Sequence, residues 1–74
     1  MAYEDMDFGK RLRRIRRAAD ITQEQLAAAT GIDAGSITRY ETGAVTPGLD
    51  KAYALAEALG VTLDDLCPVE REVA

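Results

Sequence analysis

Cationic side chains are concentrated in one short stretch of this chain. Six of its nine lysines and arginines stand between positions 10 and 17, namely Lys10, Arg11, Arg13, Arg14, Arg16 and Arg17. The chemistry open to such a cluster is the binding of phosphate groups, whose charge Lys and Arg side chains neutralise. The net charge is −4, because acidic residues gather at both ends and in the later segments. This separation of charge allows an anionic partner to approach one face of the protein.

The composition argues against metal and nucleophile chemistry. The chain has no histidine and a single cysteine, so it lacks the usual ligands of zinc and iron and cannot close an internal disulfide. Cys67 is interpreted as an inert thiol at the end of the last helix, with an intermolecular disulfide as the alternative. No base, nucleophile and orienting group come together at suitable spacings. The sequence therefore predicts no enzyme, no cofactor and no metal site.

Length and hydropathy limit the architecture and the compartment. No apolar run approaches the ~20 residues that span a bilayer, and the chain begins with acidic residues rather than with the basic start of a secretory signal. We therefore expect a cytoplasmic protein with no membrane partner. A length of 74 residues allows one hydrophobic core, which leaves no second domain for a small-molecule ligand.

Helical periodicity and capping residues divide the chain into helices. Five segments have apolar residues at helical spacing, and they run over Asp7–Ala19, Gln23–Thr30, Ala34–Thr42, Leu49–Leu59 and Thr62–Leu66. Thr22 and Gln25 have the spacing of a capping box before the second helix, and Asp33 is a suitable N-cap for the third. No alternation of apolar and polar residues is long enough for a sheet. The predicted fold class is therefore all-α.

The second and third helices are separated by a very short break. Counting from Gln23, the small Ala27 stands where two helices must cross closely, and Gly31 stands where the turn needs a positive φ. Ile37 and Tyr40 stand where the third helix faces the core. Together these spacings describe a helix-turn-helix.

Residues 8–66, about four-fifths of the chain, resemble the phage repressor/Cro-like (XRE-type) helix-turn-helix domain, a five-helix fold. The segments that carry the resemblance are FGKRLRRIRR, ITQEQLAAATGI, SITRYETG, Pro47 and LAEALGVTLDDL. The resemblance implies a single domain over 1–74, with a DNA-binding core at 8–66 and flexible termini at 1–7 and 67–74. It also implies that the third helix enters the major groove of double-stranded DNA.

The resemblance carries functional positions over, residue by residue. Four residues occupy base-facing positions: Ala34, Gly35, Thr38 and Arg39. Four more occupy phosphate-facing positions: Thr22, Gln23, Ser36 and Thr42. Arg16 and Glu41 occupy positions that form an ion pair between the first and third helices, and this pair would orient Arg16 toward the DNA backbone. Among the other cations of the first helix, Lys10 and Arg13 are best placed to reach phosphates, while the rest would serve solubility and pairing with the acidic termini.

The chain departs from the family pattern at the start of the third helix. Family members commonly carry amide or charged side chains where this chain has Ala34 and Gly35, which offer only methyl contact with thymine or a close approach of the backbone. Direct contact with bases therefore rests mainly on Arg39, which can donate two hydrogen bonds to guanine, with weaker support from Thr38.

Plainer roles are open to the same residues. Arg39 could be an exposed helix residue paired with Glu41 or Asp33. Gln23 could be a solvated first-turn residue rather than a phosphate ligand at a helix N-terminus. Gly35 could reflect tight packing or a frayed first turn, since a glycine inside a helix costs about 1 kcal/mol relative to alanine.

A homodimer is expected because one short helix contacts few base pairs and two-fold symmetry doubles the contacts. The apolar candidates for the dimer surface are Leu63, Leu66, Val69 and Val73. The alternative is core closure for the first two residues and disorder for the last two.

The leading hypothesis is a sequence-specific DNA-binding transcriptional regulator. The resemblance implies a repressor, because repression is the usual role in this family. The alternative is a protein-interaction module, an antitoxin-like or anti-repressor component, that uses the same fold. A positive rim around the third helix, built from Arg16, Arg39 and Lys10, would favour DNA, whereas an apolar or acidic rim would favour a protein partner.

Overall fold

Five α-helices make up residues 8–66, the part of the chain that this computed structural model describes. They are α1 (Phe8–Ala18), α2 (Gln23–Thr30), α3 (Ala34–Thr42), α4 (Leu49–Leu59) and α5 (Leu63–Leu66). No strand occurs within this range, and the all-α prediction is confirmed. The first helix ends one residue early because the chain turns at Asp20, whose φ is 62°. Thr62 precedes α5 instead of opening it.

Some predictions fall outside the described residues and stay predictions. They concern the flexible termini at 1–7 and 67–74, the start of the first helix at Asp7, the thiol of Cys67, and the dimer candidates Val69 and Val73. Within residues 8–66, no helix combines the length and the apolar character that crossing a bilayer requires.

Side-chain caps define where α2 begins. The Thr22 hydroxyl oxygen accepts a hydrogen bond from the backbone N–H of Gln25 at 3.0 Å, and the Gln25 side-chain oxygen accepts from the backbone N–H of Thr22 at 2.9 Å. This reciprocal pair satisfies two N–H groups that the helix itself leaves free. At the other end, Gly31 has a φ of 78°, a left-handed conformation that glycine adopts without a steric penalty. The break before α3 is therefore tight and well defined.

Each helix contributes one large, fully buried side chain to a common core: Leu12, Leu26, Ile37, Leu55 and Leu66. The prediction that Leu66 belongs to a dimer surface is therefore wrong. This leucine is 0% exposed because α5 packs against both α1 and α4, so Leu66 closes the core. Leu63, on the same short helix, is half-buried.

Helix α1 crosses the C-terminal end of α3 at Gly9. A methyl group at this position would overlap the carbonyl oxygen of Tyr40 and would stand 2.7 Å from the carbonyl oxygen of Glu41. Both obstacles are backbone atoms, which cannot swing aside as the tip of a side chain can. Gly9 is therefore required for space, and it allows α1 and α3 to approach closely.

Gly9→Ala is expected to lower the free energy of unfolding by about 1 kcal/mol. Overpacking against a fixed backbone costs about 2 kcal/mol, and the better helix propensity of alanine offsets about 1 kcal/mol of that cost. Urea unfolding followed by circular dichroism measures the change. Gly35→Ala is the matched control, because only the carboxylate tip of Asp33 comes within 3.1 Å of the added methyl group. A Gly9→Ala protein as stable as this control would contradict the steric explanation.

Candidate nucleic-acid interface

The Arg16 guanidinium and the Glu41 carboxylate form an ion pair between α1 and α3. Arg16 Nε donates to Glu41 Oε2 at 2.6 Å, and Nη2 donates to Oε1 at 3.2 Å. Nη1 donates to the carbonyl oxygen of Ile21, just before α2, at 2.8 Å. The two side chains are 13% and 4% exposed, so the pair is largely shielded from water. It fixes the first helix against both parts of the helix-turn-helix.

Gln23, the first residue of α2, extends this network to the exposed side of α3. Its side-chain Nε2 donates to Glu41 Oε1 at 3.0 Å, and its Oε1 accepts from the Thr38 hydroxyl at 3.0 Å. The carboxylate can only accept, so it determines which way the amide group is turned. The Thr38 hydroxyl also stands 3.1 Å from the carbonyl oxygen of Ala34, and its single proton serves either acceptor. Gln23 is thus held in place by α3 and is not a freely solvated residue.

A groove of about 480 Å³ opens over this network. Its lining comes from three helices and consists of Arg13, Arg16, Gln23, Thr38, Glu41 and Thr42. The structure therefore brings together residues that the sequence assigned separately to base contacts, to phosphate contacts and to the ion pair. Lys10 lies outside the groove, on another surface of α1.

Arg39 is exposed in the last turn of α3, and its guanidinium reaches back toward Gly35 in the first turn. A methyl group on Gly35 would stand 3.9 Å from Arg39 Nη1 and 3.1 Å from Asp33 Oδ2, so both charged groups flank the space that this glycine leaves open. Glu41 is engaged with Arg16 and does not pair with Arg39. Within the described residues, Arg39 forms no ion pair shorter than 4.0 Å, and its guanidinium is available to a ligand.

Asp33 caps α3 and remains ionised beside Arg39. Its Oδ1 accepts from the Ser36 hydroxyl at 2.8 Å, and its Oδ2 accepts from the Ser36 backbone N–H at 3.1 Å. These hydrogen bonds, together with the charge of Arg39, hold the pKa of Asp33 below its usual value. A negative charge therefore stands at the start of α3 at neutral pH, next to the exposed cation.

Thr22, Ser36 and Thr42 are the hydroxyl residues predicted to bind phosphate. They differ in whether the hydroxyl proton is already donated within the protein. Ser36 donates its proton to Asp33, and Thr42 donates to the carbonyl oxygen of Arg39 at 3.2 Å. Thr22 only accepts, from the Gln25 backbone, so its proton is free for an anion. Because phosphate oxygens are acceptors, Thr22 is the best placed of the three.

Sequence reasoning missed two features of this region. Gly9 was overlooked, although a glycine at a core-facing position of an amphipathic helix is a signal of close approach. The internal role of Gln23 was also missed, because nothing in the sequence shows that its amide reaches Glu41. Arg16 was expected to face the DNA backbone, and its guanidinium is instead directed largely at Glu41 and Ile21.

Comparison with known proteins identifies the family. A family model described as helix-turn-helix matches residues 12–66, well over half of the chain. This chain belongs to the helix-turn-helix family. It is 36% identical over 62 residues to the cryptic phage CTXphi transcriptional repressor RstR of Vibrio cholerae, a match that covers 84% of the chain and 55% of RstR. The chain thus spans about half the length of that relative.

Two solved helix-turn-helix structures share the arrangement of helices. The restriction-modification controller protein C.AhdI from Aeromonas hydrophila is 32% identical with a TM-score of 0.80, over 88% of this chain and 98% of the controller. The P22 c2 repressor protein, solved in complex with a synthetic operator, is 28% identical with a TM-score of 0.76, over 81% of this chain and 91% of the repressor. The resemblance to phage repressor/Cro-like domains is therefore confirmed.

Glu41→Gln is expected to destabilise this helix-turn-helix domain by about 3–5 kcal/mol, because the amide leaves the charge of Arg16 buried without a counter-ion. A loss of that size is comparable to the whole stability of a domain this small, on the order of 3–5 kcal/mol. Urea unfolding followed by circular dichroism measures it.

The double variant Arg16→Met/Glu41→Leu is the control for this ion pair. Removing both charges avoids the unpaired buried cation, so the double variant is expected to be more stable than Glu41→Gln alone. If Glu41→Gln unfolds at the same urea concentration as the wild type, the ion pair does not hold α1 and α3 together.

Proposed function

We propose that this chain is a sequence-specific DNA-binding transcriptional regulator, a repressor, that inserts α3 into the major groove of double-stranded DNA. The observation that carries the proposal is the exposed guanidinium of Arg39, which has no ion-pair partner among the described residues. It stands on a helix that the buried pair of Arg16 and Glu41 fixes in place. A rigid support of this kind keeps the side chain in position for contact with base edges.

Arg39 is the main base contact in this proposal. Its planar guanidinium can donate two hydrogen bonds to O6 and N7 of guanine, which discriminates by about 1–3 kcal/mol against other bases. Thr38 lies one residue away, and its hydroxyl can turn from Gln23 or Ala34 toward a base. Ala34 and Gly35 carry almost no side chain, so they let the first turn of α3 come close to the bases.

Phosphate contacts come from the residues around this helix. Thr22 offers a free hydroxyl proton at the N-terminus of α2, where unpaired backbone N–H groups and the helix dipole attract anions. Gln23 stands beside it with one amide N–H used by Glu41, which leaves its second N–H for a phosphate oxygen. Arg13 and Lys10 supply cations from α1, and Arg16 can add an N–H that its bonds to Glu41 and Ile21 leave unused. Ser36 and Thr42 contribute after a change of hydrogen-bond partner.

The groove supports DNA over the alternative of an antitoxin-like or anti-repressor protein module. Its lining is polar, with Arg13 and Arg16 on one side and no exposed apolar side chain. The charge of Glu41 is balanced by Arg16, so Arg13 gives the groove a net positive charge, while Asp33 offsets part of the charge of the neighbouring Arg39. The proposal places the protein in the cytoplasm with DNA as its partner, and it assigns no catalytic step and no cofactor.

We further propose that the protein binds DNA as a homodimer, with an apolar face of α4 at the contact. Leu49 and Tyr53 stand four residues apart on this helix and are 74% and 57% exposed, and Val45 in the preceding loop is 44% exposed. Of the two described dimer candidates on α5, Leu66 is buried and Leu63 is half-buried. Leu63 therefore offers less exposed apolar surface than Leu49 or Tyr53. The α4 face therefore offers more apolar area to a second copy, and a two-fold axis through it brings like faces together.

Leu49→Asp is expected to shift the protein toward the monomer in sedimentation equilibrium, because it puts a charge and its two-fold copy into one apolar contact. Leu63→Ala is the matched control on α5 and is expected to leave the association unchanged. The α4 assignment is wrong if Leu63→Ala dissociates the protein while Leu49→Asp does not.

Arg39→Ala tests the proposed function directly. Fluorescence anisotropy compares a DNA pool selected for binding with a random duplex at two salt concentrations. The wild type is expected to prefer the selected pool by at least ~10³-fold, and Arg39→Ala to lose most of that preference, on the order of 10-fold or more per half-site. Arg39→Lys is the control: it keeps the charge and loses the two-pronged contact, so weak binding to random duplex persists. Equal affinity of the wild type for both DNA samples would refute sequence-specific binding.

A further inference from the structure

A row of cations on α1 lies mostly outside the groove. Four side chains line one concave surface of about 510 Å³: Lys10, Arg13, Arg14 and Arg17. Their spacings of three and four residues place them on one face of the helix. We call this row the basic stripe. Only Arg13 belongs to both the groove and the stripe, so the groove does not explain the stripe.

The basic stripe is continuous with the candidate interface at two points. At Arg13 it meets the groove over α3. At Arg17 it meets a smaller cavity of about 240 Å³, which reaches Thr22 before α2 and which Asp20 also lines, so an anion there stays on the Arg17 side. An anion that lies along the stripe can therefore touch the same surface as a ligand of the groove.

Three cations of the stripe have no partner for their charge within the described residues. Lys10, Arg13 and Arg17 are exposed, and their side chains form no hydrogen bond or ion pair there. Like charges three and four residues apart repel each other on a helix surface. The row is thus slightly unfavourable in the free protein, and an anion that spans it would relieve the repulsion.

The chemistry of the stripe fits phosphates better than a protein surface. Stable protein contacts centre on apolar and aromatic side chains. The large exposed apolar residues of the described chain are Val45, Leu49 and Tyr53, and none of them lines the stripe. From Lys10 to Arg17 the helix rises roughly 10 Å, a distance along which one DNA strand presents about three phosphates.

We propose that the basic stripe binds a run of sugar-phosphate backbone that continues beyond the duplex segment contacted by α3. This inference rests on the proposed DNA-binding function and adds a second binding surface to it, on α1. The stripe supplies affinity without regard to sequence, because phosphates carry no base information.

The test measures how the affinity of the full chain for a random duplex of about 30 base pairs depends on salt. Each lost phosphate contact lowers the slope of log K against log salt by about 0.9. Arg17→Gln, which leaves the groove intact, is therefore expected to lower the slope by about 0.9 and the affinity roughly 8-fold at 0.1 M salt. Arg17→Lys is expected to restore both, because the contact is one of charge. Lys51→Gln, on α4 and away from these cavities, is the control for the loss of a cation, and circular dichroism checks that each variant is folded.

The outcomes separate this inference from the proposed function. If the glutamine variant keeps the wild-type slope, or if Lys51→Gln lowers it as much per charge, the stripe does not bind the backbone and an acidic protein becomes the better partner. That result leaves a wild-type preference for selected DNA, and its loss in Arg39→Ala, untouched. If the slope falls as expected while the wild type shows no preference for selected DNA, the basic stripe binds the DNA backbone. The proposal of sequence-specific regulation is then wrong.

Discussion

The buried ion pair of Arg16 and Glu41 determines where α1, α2 and α3 lie relative to one another. Charges removed from water stabilise a protein only when their geometry is close and their other hydrogen-bonding atoms are satisfied. Both conditions hold here, because the pair has two contacts and because Ile21 and Gln23 supply further partners. A carboxylate that holds two helices by hydrogen bonds leaves little freedom in the angle between α2 and α3. The groove and Arg39 therefore belong to a rigid unit. Ligand binding then costs little conformational entropy, because these helices are already held in place.

That ion pair depends in turn on how closely two helices can cross. Glu41 lies near the end of α3, and its backbone carbonyl stands against Gly9 of α1. A side chain at position 9 would push the helices apart and lengthen the contacts of Arg16, which start seven residues further along the same helix. One residue without a side chain thus supports a charged contact that it does not touch. The buried core side chains, four leucines and Ile37 with one from each helix, hold the same arrangement by apolar packing.

Local chemistry explains why the sequence predicted the helix boundaries to within about one residue. Thr22, Gln25, Asp33 and Gly31 act on atoms three or four residues away, so their effect can be recognised without the tertiary fold. The burial of Leu66 could not be predicted in that way, since it depends on where α5 docks on α1 and α4. The contacts of Gln23 could not be predicted for the same reason, because they join residues that are 15 and 18 positions apart in the sequence. Family positions gave the members of the groove, but only the structure gives the hydrogen bonds that occupy them.

The distribution of charge assigns two parts of DNA binding to different helices. Helix α3 contacts bases, and α1 supplies the general attraction for phosphates. In the groove, Arg16 is neutralised by Glu41, and Arg39 stands beside the ionised Asp33, so α3 carries little net attraction for phosphates. A helix with a weak general attraction for the backbone discriminates better, because its binding depends on the base contact that it makes. The attraction itself must then come from elsewhere, and within the described residues a row of exposed cations without ion-pair partners, Lys10, Arg13 and Arg17, lies on α1. An overall charge of −4 is compatible with DNA binding on these terms, since affinity requires a local row of cations and not a positive protein.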